Sequence, residues 1–373
     1  MGRCNWITED FIDKELYAPF VIDKDCRYKD ELETKYKILV EKAKKCSADE
    51  ESIAILEEST KAVLTAISDY YDGDIASAQS GINKIVQDCM EGTLAINKLF
   101  GINSYTINQD KQSVKGIPLF RARLSDRITD YSVREMVSLP KNMRSKSGNY
   151  RFSISGLPCL YLSNTSYGCW LETGRPAEYE FNVSPFLLEP DLKLLNLTVM
   201  LRDLSRLDEL NENTVHRWLK LIVLMIATSY VVKEENRSFK SEYIVSQLIM
   251  LSCKKLGLDG VAYYSKRVSD EIFSRCAINV ALLAPYDHGN YSSIYKQIYV
   301  KSSSNYLWFK QIVNPDLTHN KISINYETHG WIINLGSYEI QDSYKNTWFN
   351  KFDEYLLKSW ETRKVASSFL EDE

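Results

Sequence analysis

The sequence predicts an α+β fold with its helices gathered at the N-terminal end. Apolar residues recur at three- and four-residue spacing from Lys29 to about Asn103, as on one face of a helix. Short β-like segments mixed with helical runs occupy residues 117–285, and the remainder alternates with a two-residue period and is rich in Tyr, Trp and Asn. A length of 373 residues favours two or three units over one. The division that follows is a helical domain over 1–105, a mixed-sheet domain over 117–285 and a β-rich, aromatic extension over 286–373.

Each element has a local reason. Ile53, Leu56, Val63, Leu64 and Ile67 mark the apolar stripe of the first region, and Tyr70-Tyr71-Asp72-Gly73-Asp74 interrupts it, with Asp74 able to cap the next helix. So short a connection predicts an antiparallel helix pair. Polar residues, Gly and Asn fill Gly101 to Gly116, and Ile117-Pro118-Leu119-Phe120 then enters a strand. Cys159–Ser163 and Leu192–Thr198 read as further strands, and Thr214–Val232 and Ser241–Leu256 as helices. Gly257 stands where a left-handed C-cap belongs, and Asp259-Gly260 leads into the apolar strand Val261–Tyr264. Beyond Tyr286, Lys321–Leu335 alternates like a strand and Trp348–Val365 is amphipathic like a helix.

Composition removes several classes of function. Hydrophobic residues at 44% and charged residues at 26% are ordinary for globular domains, which argues against disorder and fibrous structure. A net charge of -4 and a pI of about 5.8 leave no basic surplus for neutralising phosphates, so nucleic acid is a poor partner. Lys141, Arg144, Lys146 and Arg151 form the most basic run, a solvated loop unless a diphosphate lies against it. The eight cysteines contain no C-x-x-C pair, against a zinc ribbon and in keeping with free thiols in a reducing cytoplasm. Glu9 and Asp10 do not suit a secretory signal. Leu221–Val232, the longest apolar run, is about half of the roughly 20 residues a membrane span needs, so no membrane is expected.

Familiar cofactor and nucleophile motifs are missing. No G-x-G-x-x-G, G-x-x-x-x-G-K-[ST] or G-x-S-x-G occurs, and His216, His288, His319 and His329 stand at no metal-ligand spacing. Neither a resident cofactor nor a metal is expected.

A different constellation stands out. Leu119-Phe120-Arg121-Ala-Arg123 is followed by Tyr150-Arg151-Phe152-Ser153, Gly156-Leu-Pro158, Leu160-Tyr161-Leu162-Ser163 and Glu172, and later by Gly257-Leu-Asp-Gly260-Val-Ala-Tyr-Tyr-Ser265-Lys-Arg267. This series, in this order, resembles the RES family, named for an Arg, a Glu and a Ser; by motif position Arg121, Glu172 and Ser265 match them. The resemblance runs from Leu119 to Pro285, and Ser241–Leu256, with Tyr243, Ser246 and Gln247, is similar to the helix before the family's Ser strand. The first region resembles the HEPN-type helical extension found before some RES domains, chiefly around Tyr70–Asp74. Related extensions often carry paired cysteines near their start; Cys4 and Cys26 alone stand here, which puts a metal there in doubt. Helical modules of this type that cleave RNA use an Arg with a His, and this region has no His.

The resemblance implies an ADP-ribosyltransferase-like mixed-sheet core that consumes NAD+ as substrate, by hydrolysis, phosphorolysis or transfer of ADP-ribose to a protein. It also implies a toxin or anti-phage effector, held in check by an antitoxin or other inhibitory partner; a homo-oligomer is a further partner to consider, which the sequence does not reveal. A nucleotide sensor without turnover is the non-enzymatic alternative.

The residue types suit NAD+ cleavage. Departure of nicotinamide builds positive charge on the ribose, which a nearby carboxylate stabilises, and Glu172 is the candidate, on a helix capped within Ser163-Asn-Thr-Ser166. A guanidinium fork fits a diphosphate: Arg121 comes first, Arg151 is the second candidate, and Arg123 is either part of the site or a surface strut. Tyr161 stands between Leu160 and Leu162 on a strand; if the leucines are core it faces the cleft, where its ring would hold cationic nicotinamide, or it is a packed Tyr with a bonded hydroxyl. Ser265, after an apolar strand, is either a ribose ligand or a turn serine.

Overall fold

The computed structural model describes residues 6–8, 11, 14–22, 27–90, 94–95, 105–109, 112–199, 201, 212–232, 237–268, 276–313, 344 and 346–358. Its strands are β1 (Phe20–Val21), β2 (Leu94–Ala95), β3 (Tyr105–Gln109), β4 (Gln112–Leu124), β5 (Cys159–Ser163), β6 (Phe181–Leu188), β7 (Lys193–Leu197), β8 (Tyr230–Val231), β9 (Gly260–Tyr264), β10 (Ile278–Leu283), β11 (Ile298–Val300) and β12 (Ser304–Asn305). Its helices are α1 (Tyr28–Lys45), α2 (Glu50–Tyr71), α3 (Ile75–Asp88), α4 (Val133–Met136), α5 (Ser166–Glu172), α6 (Glu212–Ala227), α7 (Ile244–Leu256), α8 (Tyr306–Val313) and α9 (Trp348–Lys358). The fold is α+β. Among the described residues no helix is long and apolar enough to cross a membrane.

The chain packs as two compact units, residues 1–94, 148–155 and 193–266 in the first and residues 95–147, 156–192 and 267–373 in the second. These boundaries differ from three consecutive spans, because segments distant in sequence share one core.

The first unit is mainly helical. Asp74 caps α3 as its position suggests, accepting from the Ser77 N–H at 3.0 Å, and Gly73 takes a φ of +84° in the turn before it. A second break lies at residues 46–49, where Asp49 caps α2 through Ser52 N at 2.7 Å, so the expected pair is three helices. Tyr28 and Tyr36 on α1 donate their buried hydroxyls to the carbonyls of Ala227 and Val223 on α6, at 2.6 and 2.9 Å. α6 stops at Ala227, short of the expected Val232, because Tyr230 and Val231 form β8, parallel to β1. Gly257 closes α7 at a φ of +72°, and β9 then runs parallel to β7, with Leu194 opposite Gly260 and Leu197 opposite Tyr263.

The second unit is built on antiparallel strands in the order β11-β6-β4-β5-β10, with β12 added to β6 and β3 to β4. β6 is buried along all eight residues, the mark of a strand covered on both faces. One face carries Phe120, Phe181 and Val183 and packs with α5, α8 and α9 around an aromatic core. Tyr306 stacks on Phe349 at 5.1 Å and 7°, and Phe309 meets Phe352 at 4.9 Å. The described part of the aromatic C-terminal region is therefore core of this unit and not a separate extension. The expected strand at Lys321–Leu335 and the helix beyond Lys358 lie outside the described residues, as do Cys4 and Cys26.

Candidate active site

The site is best followed from α5, whose last residue is Glu172. Thr165 caps this helix, its hydroxyl oxygen accepting from Gly168 N at 2.9 Å, within the segment the sequence marks for a cap. The same hydroxyl donates to the Cys276 carbonyl, which ties the helix start to the chain entering β10. α5 lies so close to β5 that a Cβ built on Gly168 would stand 2.1 Å from Ser163 Oγ and 3.3 Å from the Ala277 Cα. Glycine is needed here for closeness, not for an unusual φ. The adjacent Cys169 thiol, 5% exposed, donates to the Phe120 carbonyl at 3.2 Å.

Seated in this way, α5 delivers an exposed Glu172 whose Oε1 accepts from Asn279 Nδ2 at 2.7 Å. Asn279 is itself 3% exposed, in a strand otherwise made of Ile, Val, Ala and Leu. A buried amide in such a strand is expected to be bonded, and its partner is the carboxylate. Register defines what shares this face. Asn279 is opposite Ser163 and Ala281 is opposite Tyr161, so Asn279, Ser163 and Tyr161 project to one side of the sheet, with Tyr161 diagonal to Asn279. Leu160 and Leu162 are buried on the other side, and Tyr161 is half-buried between them. Glu172 and Tyr161 thus belong to one face.

Arg121 follows Phe120 on β4 and by alternation leaves the opposite side of that strand, opposite Ser184 on β6. One nitrogen of its guanidinium, Nη1, is buried. Its charge and that of Glu172 act on a common group: burial pushes the Cys169 thiol up first, Asp353 and Glu172 push it further, and Arg121 pulls it down. Burial raises the Tyr295 hydroxyl, whose bonds with Ser138 N and Oγ at 2.9 and 2.6 Å pull it back, with a smaller pull from Arg121. Phe120 pairs with Ser163, so Arg121 is rooted on the sheet face opposite the one that carries Asn279 and Tyr161.

The other candidates divide. Arg123 donates to the Glu135 carbonyl at 2.5 Å and lies 5.3 Å from the Tyr131 ring centroid, in an exposed setting. Arg151 belongs to the first unit, where its guanidinium donates to the carbonyls of Thr228 and Tyr230 at 3.0 and 2.7 Å and lies over the Tyr243 ring at 5.0 Å. Ser265, also of the first unit, is 1% exposed directly after β9, and the adjacent Lys266 donates to Ser229 Oγ at 2.8 Å. Lys141–Lys146 form a short 3-10 turn in the second unit, with Arg144 over the Tyr286 ring at 4.9 Å. Asn279 is the residue that motif reasoning passes over; its signal is one amide among six strand positions, the other five apolar. Among the described residues no group of three His, Cys, Asp or Glu could hold a metal ion.

Comparison with known proteins bears on the same stretch. The family model described as RES domain matches residues 119–300. The chain is 29% identical over 235 residues to a protein of Bacillus subtilis (strain 168) named "Putative toxin YopC". That match covers 60% of this chain and 51% of the relative, so the chain spans about half of that relative's length. A solved structure, the MbcT–MbcA toxin–antitoxin complex of M. tuberculosis, is similar over 59% of this chain and 91% of the matched one, at 13% identity and a TM-score of 0.31, too low to carry an argument. The motif series, its placement around α5 and the family match agree: residues 119–300 of this chain are a RES domain.

Proposed function

We propose that the chain cleaves the nicotinamide–ribose bond of NAD+, by hydrolysis or phosphorolysis, and that it is a toxin restrained by an inhibitory protein. The observation that carries this reading is the exposed Glu172 carboxylate, fixed by buried Asn279 on the sheet face that bears Tyr161. As the C–N bond breaks, its electron pair leaves with nicotinamide, which becomes neutral, and positive charge passes to the ribose. A carboxylate held in place beforehand stabilises that charge without reorganising. The Tyr161 ring attracts the pyridinium and releases the neutral product, so its binding energy falls as the reaction proceeds. Water or phosphate then adds to the ribose carbon, and when water adds its proton is lost to solvent.

Arg121, the arginine of the motif series, takes the diphosphate as a guanidinium partner. Arg151 is given a holding role, because two carbonyls and a ring already occupy its guanidinium. Arg123 has no part, since its guanidinium binds the Glu135 carbonyl and faces Tyr131. The toxin and antitoxin parts of the reading draw on the name of the Bacillus subtilis relative and on the RES family.

Purified protein is incubated with NAD+ labelled in its ADP-ribose part, with and without phosphate. Nicotinamide release with the label in small products is the expected result. Label fixed to a macromolecule would instead establish ADP-ribosyl transfer, and tight binding with no product a sensor.

A further inference from the structure

The Glu172-bearing helix is held from outside the RES match. Asp353 lies on α9, well beyond residue 300, and is 7% exposed. Its Oδ1 accepts the backbone N–H of Ser166 at 3.0 Å, and its Oδ2 accepts from the Tyr344 hydroxyl at 2.6 Å. Ser166 is the first residue of α5, so the carboxylate satisfies one of the N–H groups that a helix start leaves without an intrahelical partner. One turn earlier on α9, Phe349 accepts from Ser166 Oγ at 3.3 Å and packs its ring on Tyr167 and Trp170, at 5.4 and 5.6 Å. α9 thus grips the start of α5 by two backbone-directed hydrogen bonds and an aromatic face, and Glu172 is the far end of that short lever.

Seven residues span about 10 Å of helix, so a tilt of about 10° at Ser166 would carry the Glu172 end by about 2 Å. Displacements of about 1 Å at a reacting centre cost on the order of a hundredfold in rate. A buried acid is an expensive way to pin a helix start, since its charged form is desolvated there. Precise seating of the helix accounts for its presence.

We infer that Asp353 is a positioning residue for Glu172, so that the C-terminal helix completes the active centre that the RES segment alone leaves loosely seated. This rests on the reading of Glu172 given above.

The test uses the full chain with Asp353→Ala, Asp353→Asn and Tyr344→Phe. Nicotinamide release is followed for kcat and KM, and amide hydrogen exchange for residues 166–172. Asp353→Ala should lower kcat by at least about tenfold with KM for NAD+ within about twofold, because the carboxylate moves while the binding groups remain. Asn keeps an oxygen for the Ser166 N–H and should restore most of kcat; Tyr344→Phe should fall between. Exchange in α5 should quicken in the Ala variant while β10 stays protected. Wild-type kcat in a folded Ala variant would overturn the inference, and so would parallel loss of kcat and rise of KM in both Asp353 variants. If Asp353→Ala does not fold, unchanged kcat in both Asp353→Asn and Tyr344→Phe with unchanged α5 exchange in the latter would overturn it. Should the wild type release no nicotinamide, the reaction assignment fails on its own, and α5 exchange still decides whether Asp353 seats the helix.

Discussion

Replacing Asn279 by Ala separates orientation of Glu172 from stability of the fold. The amide donates to Glu172 Oε1 at 2.7 Å, a length in the charge-assisted range, and hydrogen bonds to charged groups are worth about 1.5–3 kcal/mol. At about 1.4 kcal/mol per factor of ten, loss of that orientation lowers kcat by about 10- to 150-fold. The effect on stability is smaller, on the order of 1 kcal/mol, because Glu172 is exposed and water can take the place of the lost donor. Asn279→Asp sharpens the test: its shape is the same, but when both carboxylates are ionised the donor is lost and the two repel, so activity should fall further and partly recover as falling pH lets the pair hold one proton. Initial rates of nicotinamide release give kcat, and urea unfolding monitors the fold. A folded Asn279→Ala protein with kcat within about twofold of wild type would refute the reasoning, because the bond would then do no catalytic positioning.

Gly168→Ala drives a methyl into Ser163 Oγ at 2.1 Å, which costs about 1–3 kcal/mol of overpacking against about 1 kcal/mol of helix propensity gained; Gly168→Ala with Ser163→Ala should recover part of the loss in urea unfolding, and no recovery would place the clash elsewhere. Burial pushes the Asp353 carboxyl up to about 7 from 3.8, against the pull of its bonds from Ser166 and Tyr344 and with a small further push from Glu354. A raised acid pKa favours the folded state fully below the unfolded value, and that advantage is lost as pH rises from 3.8 to about 7. The stability of wild type relative to Asp353→Asn should therefore fall by a few kcal/mol, on the order of 4, across that window; a flat difference would contradict it. Arg151→Ala strands the buried carbonyls of Thr228 and Tyr230, for a loss of about 2–4 kcal/mol in urea unfolding, and Lys at 151 recovers less than half because an ammonium lacks the planar fork.

Local chemistry was legible where one residue decides it. Asp74 as a cap, Gly257 in the left-handed region and Thr165 within the segment marked before Glu172 all follow from side-chain chemistry within a turn or two. The second break before Asp49 was passed over because the apolar stripe continues across it, and the early end of α6 because an apolar run reads alike as helix or strand. Arg123 and Arg151 carry the same guanidinium as Arg121, and only tertiary contacts show them bound to backbone carbonyls. Asn279 and Asp353 act across 107 and 187 positions, on Glu172 and Ser166, so no spacing rule reaches them. In the aromatic C-terminal region Tyr306, Phe349 and Phe352 are core because α5 and β6 leave an apolar face for them to cover, a tertiary fact that composition does not carry.

Glu172→Gln tests the central claim most directly, since it removes the negative charge while keeping size and an oxygen for Asn279. Nicotinamide release from NAD+ by the folded variant should fall by about a thousandfold or more, as expected when charge stabilisation of the transition state is lost. Turnover at the wild-type rate would show that the carboxylate at 172 does not face the ribose cation, and the catalytic assignment would be abandoned.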